Sequence, residues 1–207
     1  MDYSSAIAEL LSRHGFRRFM MSRTQVGHLK LGGHLDGRPI DIVLDTGAAK
    51  TIVDLSYCRS EGIAVTDTGQ PGAGAVGAGN ATVSVYTLGD AQLILEGLPV
   101  SSDGIFAIDM TFTNQKLMMK GVDPIRAVVG QDVLRYHQAV IDYATLALFL
   151  KEEPVFPSDP ESVRGAARIL AVRGYTATQI SHELQQRRGL DVAEADKVAG
   201  IALAEKP

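Results

Sequence analysis

One segment constrains the fold more than any other: PIDIVLDTGAAKTIVD, residues 39–54. Ile40, Ile42 and Leu44 alternate along it as in a half-buried β-strand, and Asp45 follows the last of them directly. A carboxylate beside a buried strand is costly unless it is used, which favours a functional site. Aspartate and glycine are also common turn residues, so a plain turn is the other interpretation. From this segment alone the two interpretations carry equal weight.

Further strand patterns surround this segment from residue 24 to residue 151. VGHLKLGGHLDGRPIDIVLD predicts a hairpin with its tight turn at Asp36-Gly37. ATVSVYTLGDAQLILEGLPV predicts a second hairpin, with its turn at Gly89-Asp90. More strands are expected in GIFAIDM, AVVG and AVIDYATLALFLK, and short helices at residues 114–120 and 132–136. The pattern predicts one strand-rich domain over residues 24–151.

Helical patterns occupy both ends of the chain. Residues 4–14 predict a short amphipathic helix within an N-terminal segment, residues 1–23. The proline-rich stretch EEPVFPSDPE marks a linker at residues 152–160. Beyond it, Ser158–Glu161 and Thr176–Gln179 match capping boxes, and a break is expected at Gly189. Residues 161–207 are therefore predicted to form a small tail of three short helices.

A glycine-rich stretch, GQPGAGAVGAGN, contains Gly72, Gly74 and Gly77 at the G-x-G-x-x-G spacing of dinucleotide-binding loops. Such a loop needs a helix after the glycines, because the helix N-terminus holds the pyrophosphate. Here the β-branched alternation TVSVYT follows, which predicts a strand instead. The stretch is therefore either a surface loop or the tip of a hairpin, and nucleotide binding is disfavoured.

The order of these features resembles the retropepsin-like family of aspartic proteases. Asp45-Thr46-Gly47-Ala48 comes first, the glycine-rich tip follows, and the apolar pair Val128-Val129 then precedes Gly130. The resemblance covers about residues 24–151, and the ending VIDYATLALFLK is similar to that of bacterial members. It implies a mostly β, single-lobe acid-protease fold, a closed β-barrel, here with an N-terminal helix and a C-terminal helical tail.

The resemblance also implies the roles of particular residues. Asp45 matches the catalytic aspartate, and Thr46 the threonine that locks two active-site loops together across a dimer axis. Gly47 and Ala48 match the turn and the packing residue beside the carboxylate, and Gly130 the small residue beneath that loop. The flap that closes over bound peptide matches the glycine-rich tip, comprising Gly72, Ala73, Gly74, Ala75, Val76, Gly77 and Ala78.

An aspartic endopeptidase activity follows from this resemblance, with a peptide or protein as substrate. Two carboxylates that share a proton can activate water and polarise the scissile carbonyl. A second Asp-Thr-Gly occurs at residues 67–69, but no apolar strand precedes it, so it is interpreted as the turn into the flap. One catalytic loop per chain predicts a C2 homodimer. The alternative is a catalytically silent binding or scaffolding module of the same fold.

Composition argues against several other classes. A net charge of −4 gives no reason to expect nucleic acid or an anionic membrane surface as a partner. The five histidines, at positions 14, 28, 34, 137 and 182, show no metal-ligand spacing, and the one cysteine, Cys58, is expected to be a small buried hydrophobe. We therefore expect no metal and no cofactor. No apolar run reaches the ~18 residues of a membrane span, and a cytoplasmic location is expected.

Overall fold

The computed structural model describes residues 3–71 and 83–205. The chain divides into two compact units, Met1–Val155 and Phe156–Pro207. Helices of the first unit are α1 (Tyr3–Arg13), α2 (Leu55–Ser60), α3 (Thr111–Met118) and α4 (Gln131–Tyr136). Its strands are β1 (Phe16–Met20), β2 (Ser22–Arg23), β3 (Leu29–Leu35), β4 (Arg38–Leu44), β5 (Ile52–Asp54), β6 (Thr66–Pro71), β7 (Ser84–Thr87), β8 (Leu93–Leu95), β9 (Leu98–Pro99), β10 (Phe106–Ile108), β11 (Ala127–Val129), β12 (Val140–Asp142) and β13 (Ala147–Lys151). The second unit contains α5 (Pro160–Val172), α6 (Ala177–Arg188) and α7 (Val192–Ala204).

The strands of the first unit form two sheets. The larger sheet has the order β6-β7-β10-β5-β11-β4-β3-β8-β9, with β2 paired to β3, and the smaller has the order β1-β13-β12. Most pairs are antiparallel, but β11 runs parallel to β4, and β10 runs parallel to β5. No closed barrel is found among the described residues, and helices cover more of them than strands do, because three helices follow residue 159. The mostly β class and the closed barrel are therefore not confirmed.

Turn chemistry explains where the hairpins form. Asp36 and Gly37 both have positive φ, at 48° and 77°, as a two-residue type I′ turn requires, and the predicted β3–β4 hairpin is confirmed. The hairpin predicted at Gly89-Asp90 is wrong, because β7 pairs with β6 and β10 whereas β8 pairs with β3 and β9. The second tight turn lies instead between β8 and β9, at Glu96-Gly97, where both φ values are again positive.

The principal core of the first unit packs against one face of β3 and β4, to which alternate residues of both strands contribute. Its most deeply buried side chains include Phe19, Leu35, Ile42, Leu93, Leu95, Val129, Leu148 and Leu150. A smaller apolar cluster, which we call the site wall, comprises Val43, Ile108, Met110 and Val128, with Ala48 and Ile52 packed against it. Since β4 and β11 each contribute to both clusters, these two strands separate the core from the site wall.

The second unit is a three-helix bundle with an alanine-rich core. Val163, Ala167 and Ala171 from α5 are buried, together with Ile180, Leu184, Ala195, Ala199 and Ala202. The Thr176–Gln179 capping box and the break at Gly189 are confirmed, and Gly189 adopts the left-handed conformation. The cap of α5 is Asp159 rather than Ser158, because the Asp159 side chain accepts the hydrogen bond from the Ser162 N–H. The helix therefore begins one residue later than the capping-box match indicated.

Candidate active site

Asp45 lies at the edge of the larger sheet where two parallel strands end together. It directly follows β4, whose residues 42–44 are buried, whereas Asp45 itself is exposed. Leu44 is paired with Val129, the last residue of β11, and the Asp45 N–H donates to the Val129 carbonyl at 3.1 Å. Because β4 and β11 run parallel, the loops that follow them emerge side by side. The local sequence thus presents one carboxylate to solvent beside the loop that contains Gly130.

The Asp45 loop, residues 45–51, begins with a tight turn around the carboxylate. The Gly47 N–H donates to Asp45 Oδ1 at 2.8 Å, and the Ala48 N–H donates to the Asp45 carbonyl at 3.2 Å. A Cβ at Gly47 would lie 3.2 Å from the same carboxylate oxygen, which is tighter than most real contacts. Glycine at this position therefore permits the close approach that orients the Asp45 side chain. Thr46 is exposed, and Ala48 packs against the site wall.

Gly130 supports the Asp45 loop by backbone contact. A Cβ at Gly130 would lie 2.5 Å from the Lys50 carbonyl oxygen and 2.8 Å from the Ala48 carbonyl oxygen. The next residue, Gln131, donates its N–H to the Ala48 carbonyl at 2.8 Å, and its side-chain Nε2 donates to the Thr46 carbonyl at 2.8 Å. The structure thus brings Gly130 together with Asp45–Ala48, and only a residue without a side chain fits in that gap.

A buried pair, Thr51 and Asp132, holds the far end of the loop, and sequence reasoning did not identify it. The Thr51 hydroxyl donates to Asp132 Oδ1 at 2.7 Å, and the Thr51 N–H donates to Oδ2 at 3.1 Å. The Gly130 N–H in turn donates to the Thr51 hydroxyl oxygen at 3.2 Å. Burial raises the pKa of the Asp132 carboxyl, and the hydrogen bonds from Thr51 and Val133 oppose that rise. The pair joins the loop to the first turn of α4.

The glycine-rich segment predicted as a flap lies outside the described residues. This applies to every predicted member: Gly72, Ala73, Gly74, Ala75, Val76, Gly77 and Ala78. The flanking strands β6 and β7 pair antiparallel, with a register shift between Asp67 and Pro71. The second Asp-Thr-Gly, Asp67–Gly69, is predicted to be the turn into the flap; it lies within β6, where Gly69 has a positive φ of 68° at the register shift of that strand. The Thr68 hydroxyl donates to the Val85 carbonyl of β7 at 2.7 Å, which ties this irregular part of β6 to its partner strand.

The two Asp-Thr-Gly tripeptides make the same local contact. The Gly69 N–H donates to Asp67 Oδ1 at 2.8 Å, just as the Gly47 N–H donates to Asp45 Oδ1. The tripeptide alone therefore does not define the candidate site. Asp45 differs because its loop rests on Gly130 and is held by Asp132, contacts that span more than 75 residues of sequence.

Histidine and cysteine side chains can bind metals or act as nucleophiles, but in Cys58 and His137 burial and local contacts explain the residue. In residues 3–71 and 83–205, no cluster of three or more histidine, cysteine, aspartate or glutamate side chains has metal-binding geometry. Cys58 is buried, and burial raises the pKa of its thiol to about 11. His137 is fully buried and hydrogen-bonded at both ring nitrogens. None of the helices in the described part of the chain has the length and apolar character needed to cross a membrane.

Comparisons with known proteins give matches among solved structures. No protein-family model matches the sequence, and no curated protein matches it. The retroviral protease-like domain of Ddi1 from Leishmania major is 16% identical with a TM-score of 0.41, covering 59% of this chain and 87% of that one. A retropepsin-like aspartic protease from Rickettsia conorii is 17% identical with a TM-score of 0.41, and the match covers 65% of this chain and 90% of that one. EIAV protease complexed with the inhibitor HBY-793 is 15% identical with a TM-score of 0.38, and the match covers 55% of this chain and 90% of that one. At these values, none of the three identifies what this chain does.

Proposed function

We propose that this chain is a retropepsin-like aspartic endopeptidase that acts as a C2 homodimer. The observation that carries the proposal is the exposed Asp45 carboxylate, oriented by the Gly47 N–H at the point where β4 and β11 end. A carboxylate held by such a turn, on a loop braced from below by Gly130, has a fixed position and free access to solvent. Both properties are needed by a group that activates water.

The proposed reaction needs two carboxylates within reach of one water molecule. One of them, ionised, takes a proton from the water, while the other, protonated, donates a hydrogen bond to the scissile carbonyl. Two like charges about 3 Å apart do not both ionise, so the pair shares one proton and titrates as a unit. Each chain supplies one Asp45, and the twofold axis of the dimer places the second one opposite it. In this arrangement Thr46 of each subunit joins the two loops.

We propose an extended peptide as the substrate, with apolar side chains near the cleaved bond. The site wall supports this choice, because Val43 and Val128 lie on the two strands that end at the candidate site, and Ala48 lies within the Asp45 loop. An extended chain is bound through its backbone, and its alternate side chains enter pockets. In this proposal the segment 72–78 closes over the peptide as a flap, and no metal or cofactor takes part.

The test is cleavage of a peptide library by the purified full-length chain between pH 4 and pH 7. We expect cleavage that a pepstatin-type inhibitor blocks and that Asp45→Asn abolishes. Asp67→Asn is the matched control, since it makes the same change in the second Asp-Thr-Gly and is expected to retain activity. Sedimentation equilibrium is expected to give a dimer. Cleavage that survives Asp45→Asn would refute the assignment of the catalytic residue.

A silent binding module is the second candidate, because the described residues of one subunit leave the site incomplete unless the chain dimerises. Only one aspartate of the described residues combines exposure with a loop braced by Gly130, so a single subunit cannot supply both carboxylates. A wild type that is dimeric but cleaves no library peptide, and whose Asp45→Asn variant gives the same result in that assay, would support this candidate. A strictly monomeric protein without activity would support it as well.

A further inference from the structure

We propose that Asp103 is a positioning residue that holds the Asp45 loop in its working geometry through Lys50. This inference rests on the proposed function, because it assigns a role in the same site. Asp103 lies between β9 and β10, in the segment Ser101–Asp103, which neither the Asp-Thr-Gly motif nor the loop after β11 includes. It is 53 residues from Lys50 in sequence, yet the two side chains are in contact.

The Asp103 carboxylate bridges the Asp45 loop and α4. Lys50 Nζ lies 2.5 Å from Asp103 Oδ2, and the Tyr136 hydroxyl donates to Oδ1. The side chain of Asp103 is only 12% exposed, whereas that of Lys50 is 38% exposed. The ion pair is therefore anchored on the carboxylate, which is screened from solvent, and Lys50 is the partner that it restrains.

Lys50 lies in a part of the loop whose backbone is closely packed. Its carbonyl group is one of the two backbone carbonyls against which Gly130 packs. Its neighbour Thr51 is fixed by Asp132, at the first turn of α4, while Tyr136 lies at the last turn of the same helix. Two buried or nearly buried carboxylates thus hold two consecutive loop residues against opposite ends of α4.

The segment that presents Asp103 is itself fixed. The Ser101 N–H donates to His137 Nε2 at 2.8 Å, and because Nε2 accepts this bond, Nδ1 carries the proton and donates to the Lys151 carbonyl at 2.7 Å. The Ser102 hydroxyl oxygen accepts a bond from the Gly104 N–H at 3.1 Å. Asp103 is therefore held by a backbone that is tied to α4 and β13, which is what a positioning residue requires.

The expected consequence is kinetic. If the carboxylate positions the loop, Asp103→Asn lowers kcat by about tenfold to a hundredfold and leaves KM almost unchanged, because a displacement of about 1 Å is enough for such a loss. Lys50→Met removes the same contact from the other side and is expected to lower kcat to a similar extent. In the Lys50→Met background, Asp103→Asn is expected to have no further effect on kcat, since the contact is already absent.

The control is Asp41→Asn, which makes the same change in the exposed ion pair between Asp41 and Lys30. It is expected to leave kcat and KM unchanged. Rates are to be divided by the concentration of active sites, obtained by titration with a tight-binding inhibitor, so that loss of folded protein does not lower the apparent kcat. If Asp103 only stabilised the fold, Asp103→Asn would lower the concentration of active sites, and the effects on kcat at positions 50 and 103 would not be coupled. Effects on kcat that multiply in the double variant, or a kcat of Asp103→Asn equal to wild type, would overturn the proposal.

A second measurement does not depend on catalysis. Amide hydrogen exchange of residues 46–51 is expected to be faster in Asp103→Asn than in wild type, while exchange in β3 and α6 is unchanged. Unchanged exchange in the loop would overturn the positioning role even if the chain proves to be a protease. If the wild type cleaves nothing, the proposed function fails, and the exchange result still decides whether Asp103 holds the loop.

Discussion

Replacing Gly130 by alanine tests whether close backbone packing holds the candidate site together. The added Cβ would lie 2.5 Å from the Lys50 carbonyl oxygen and 2.6 Å from its carbonyl carbon. Ordinary contact begins at 3.4 Å, so the Lys50 backbone must move by about 0.9 Å to relieve the overlap. The backbone of Gly130 has φ −101° and ψ −172°, an extended conformation that alanine adopts without strain. The effect of the substitution is therefore steric, and it acts on the Asp45 loop.

Two magnitudes follow from that displacement. Overpacking of this kind costs about 1–3 kcal/mol of the free energy of unfolding. A loop shift of nearly 1 Å is also expected to lower kcat by about a hundredfold if the chain is a protease. Urea unfolding followed by far-ultraviolet circular dichroism measures the first quantity, since the chain contains no tryptophan for fluorescence. Peptide cleavage measures the second.

Gly32→Ala is the matched control within the same unit. A Cβ at Gly32 in β3 meets nothing within 4 Å, so the free energy of unfolding is expected to change by less than about 0.5 kcal/mol. A Gly130→Ala variant as stable as Gly32→Ala, with wild-type activity, would refute the close packing inferred between Gly130 and the loop.

Three further predictions concern stability and reactivity. Burial lowers the pKa of His137, so the unfolded chain binds the His137 proton at a higher pH than the folded chain does. The free energy of unfolding is therefore expected to fall as the pH drops below about 6.5. A His137→Gln variant whose urea midpoint falls as steeply with pH as that of the wild type would contradict this. Cys58, with a thiol pKa of about 11 and no exposed surface, is expected to react with a disulfide reagent at pH 8 only after unfolding, and fast labelling of the native chain would count against its burial. Glu96 has φ 43°, so Glu96→Gly is expected to raise the unfolding free energy by about 0.5–1 kcal/mol in the same urea assay, and a loss of stability would show that the side chain itself is needed.

The parts of the fold that could be predicted are those set by neighbouring residues. Asp36-Gly37 identifies its hairpin because a type I′ turn needs two residues that accept positive φ, and this need is local. Gly89-Asp90 has an equally strong turn composition, yet the strands on its two sides pair with different partners. Strand pairing depends on the burial of distant apolar residues, and no feature of residues 81–100 encodes it.

The residues of the candidate site likewise fall into those that could be proposed from sequence and those that could not. Asp45 and Gly130 could be proposed from sequence because each directly follows an apolar strand in a specific motif. Thr51, Asp103 and Asp132 could not, since their residue types are ordinary for turns and helix starts. Their roles arise from contacts across 53 to 81 residues, which become visible only when the parallel pairing of β4 and β11 is known.

The second Asp-Thr-Gly makes the physical distinction clear. Asp67 is followed by the same two residues as Asp45 and accepts the same hydrogen bond from the glycine two residues later. This hydrogen bond orients the carboxylate only within the tripeptide, and the position of the tripeptide depends on its surroundings. Asp67 is held by strand pairing with Tyr86, whereas water activation at Asp45 would need a restraint on the Asp45 loop. Gly130, Asp132 and, in our proposal, Asp103 supply that restraint at Asp45. In this chain the two Asp-Thr-Gly motifs are therefore distinguished by the distant residues that support the Asp45 loop, since the tripeptide and its hydrogen bond are common to both.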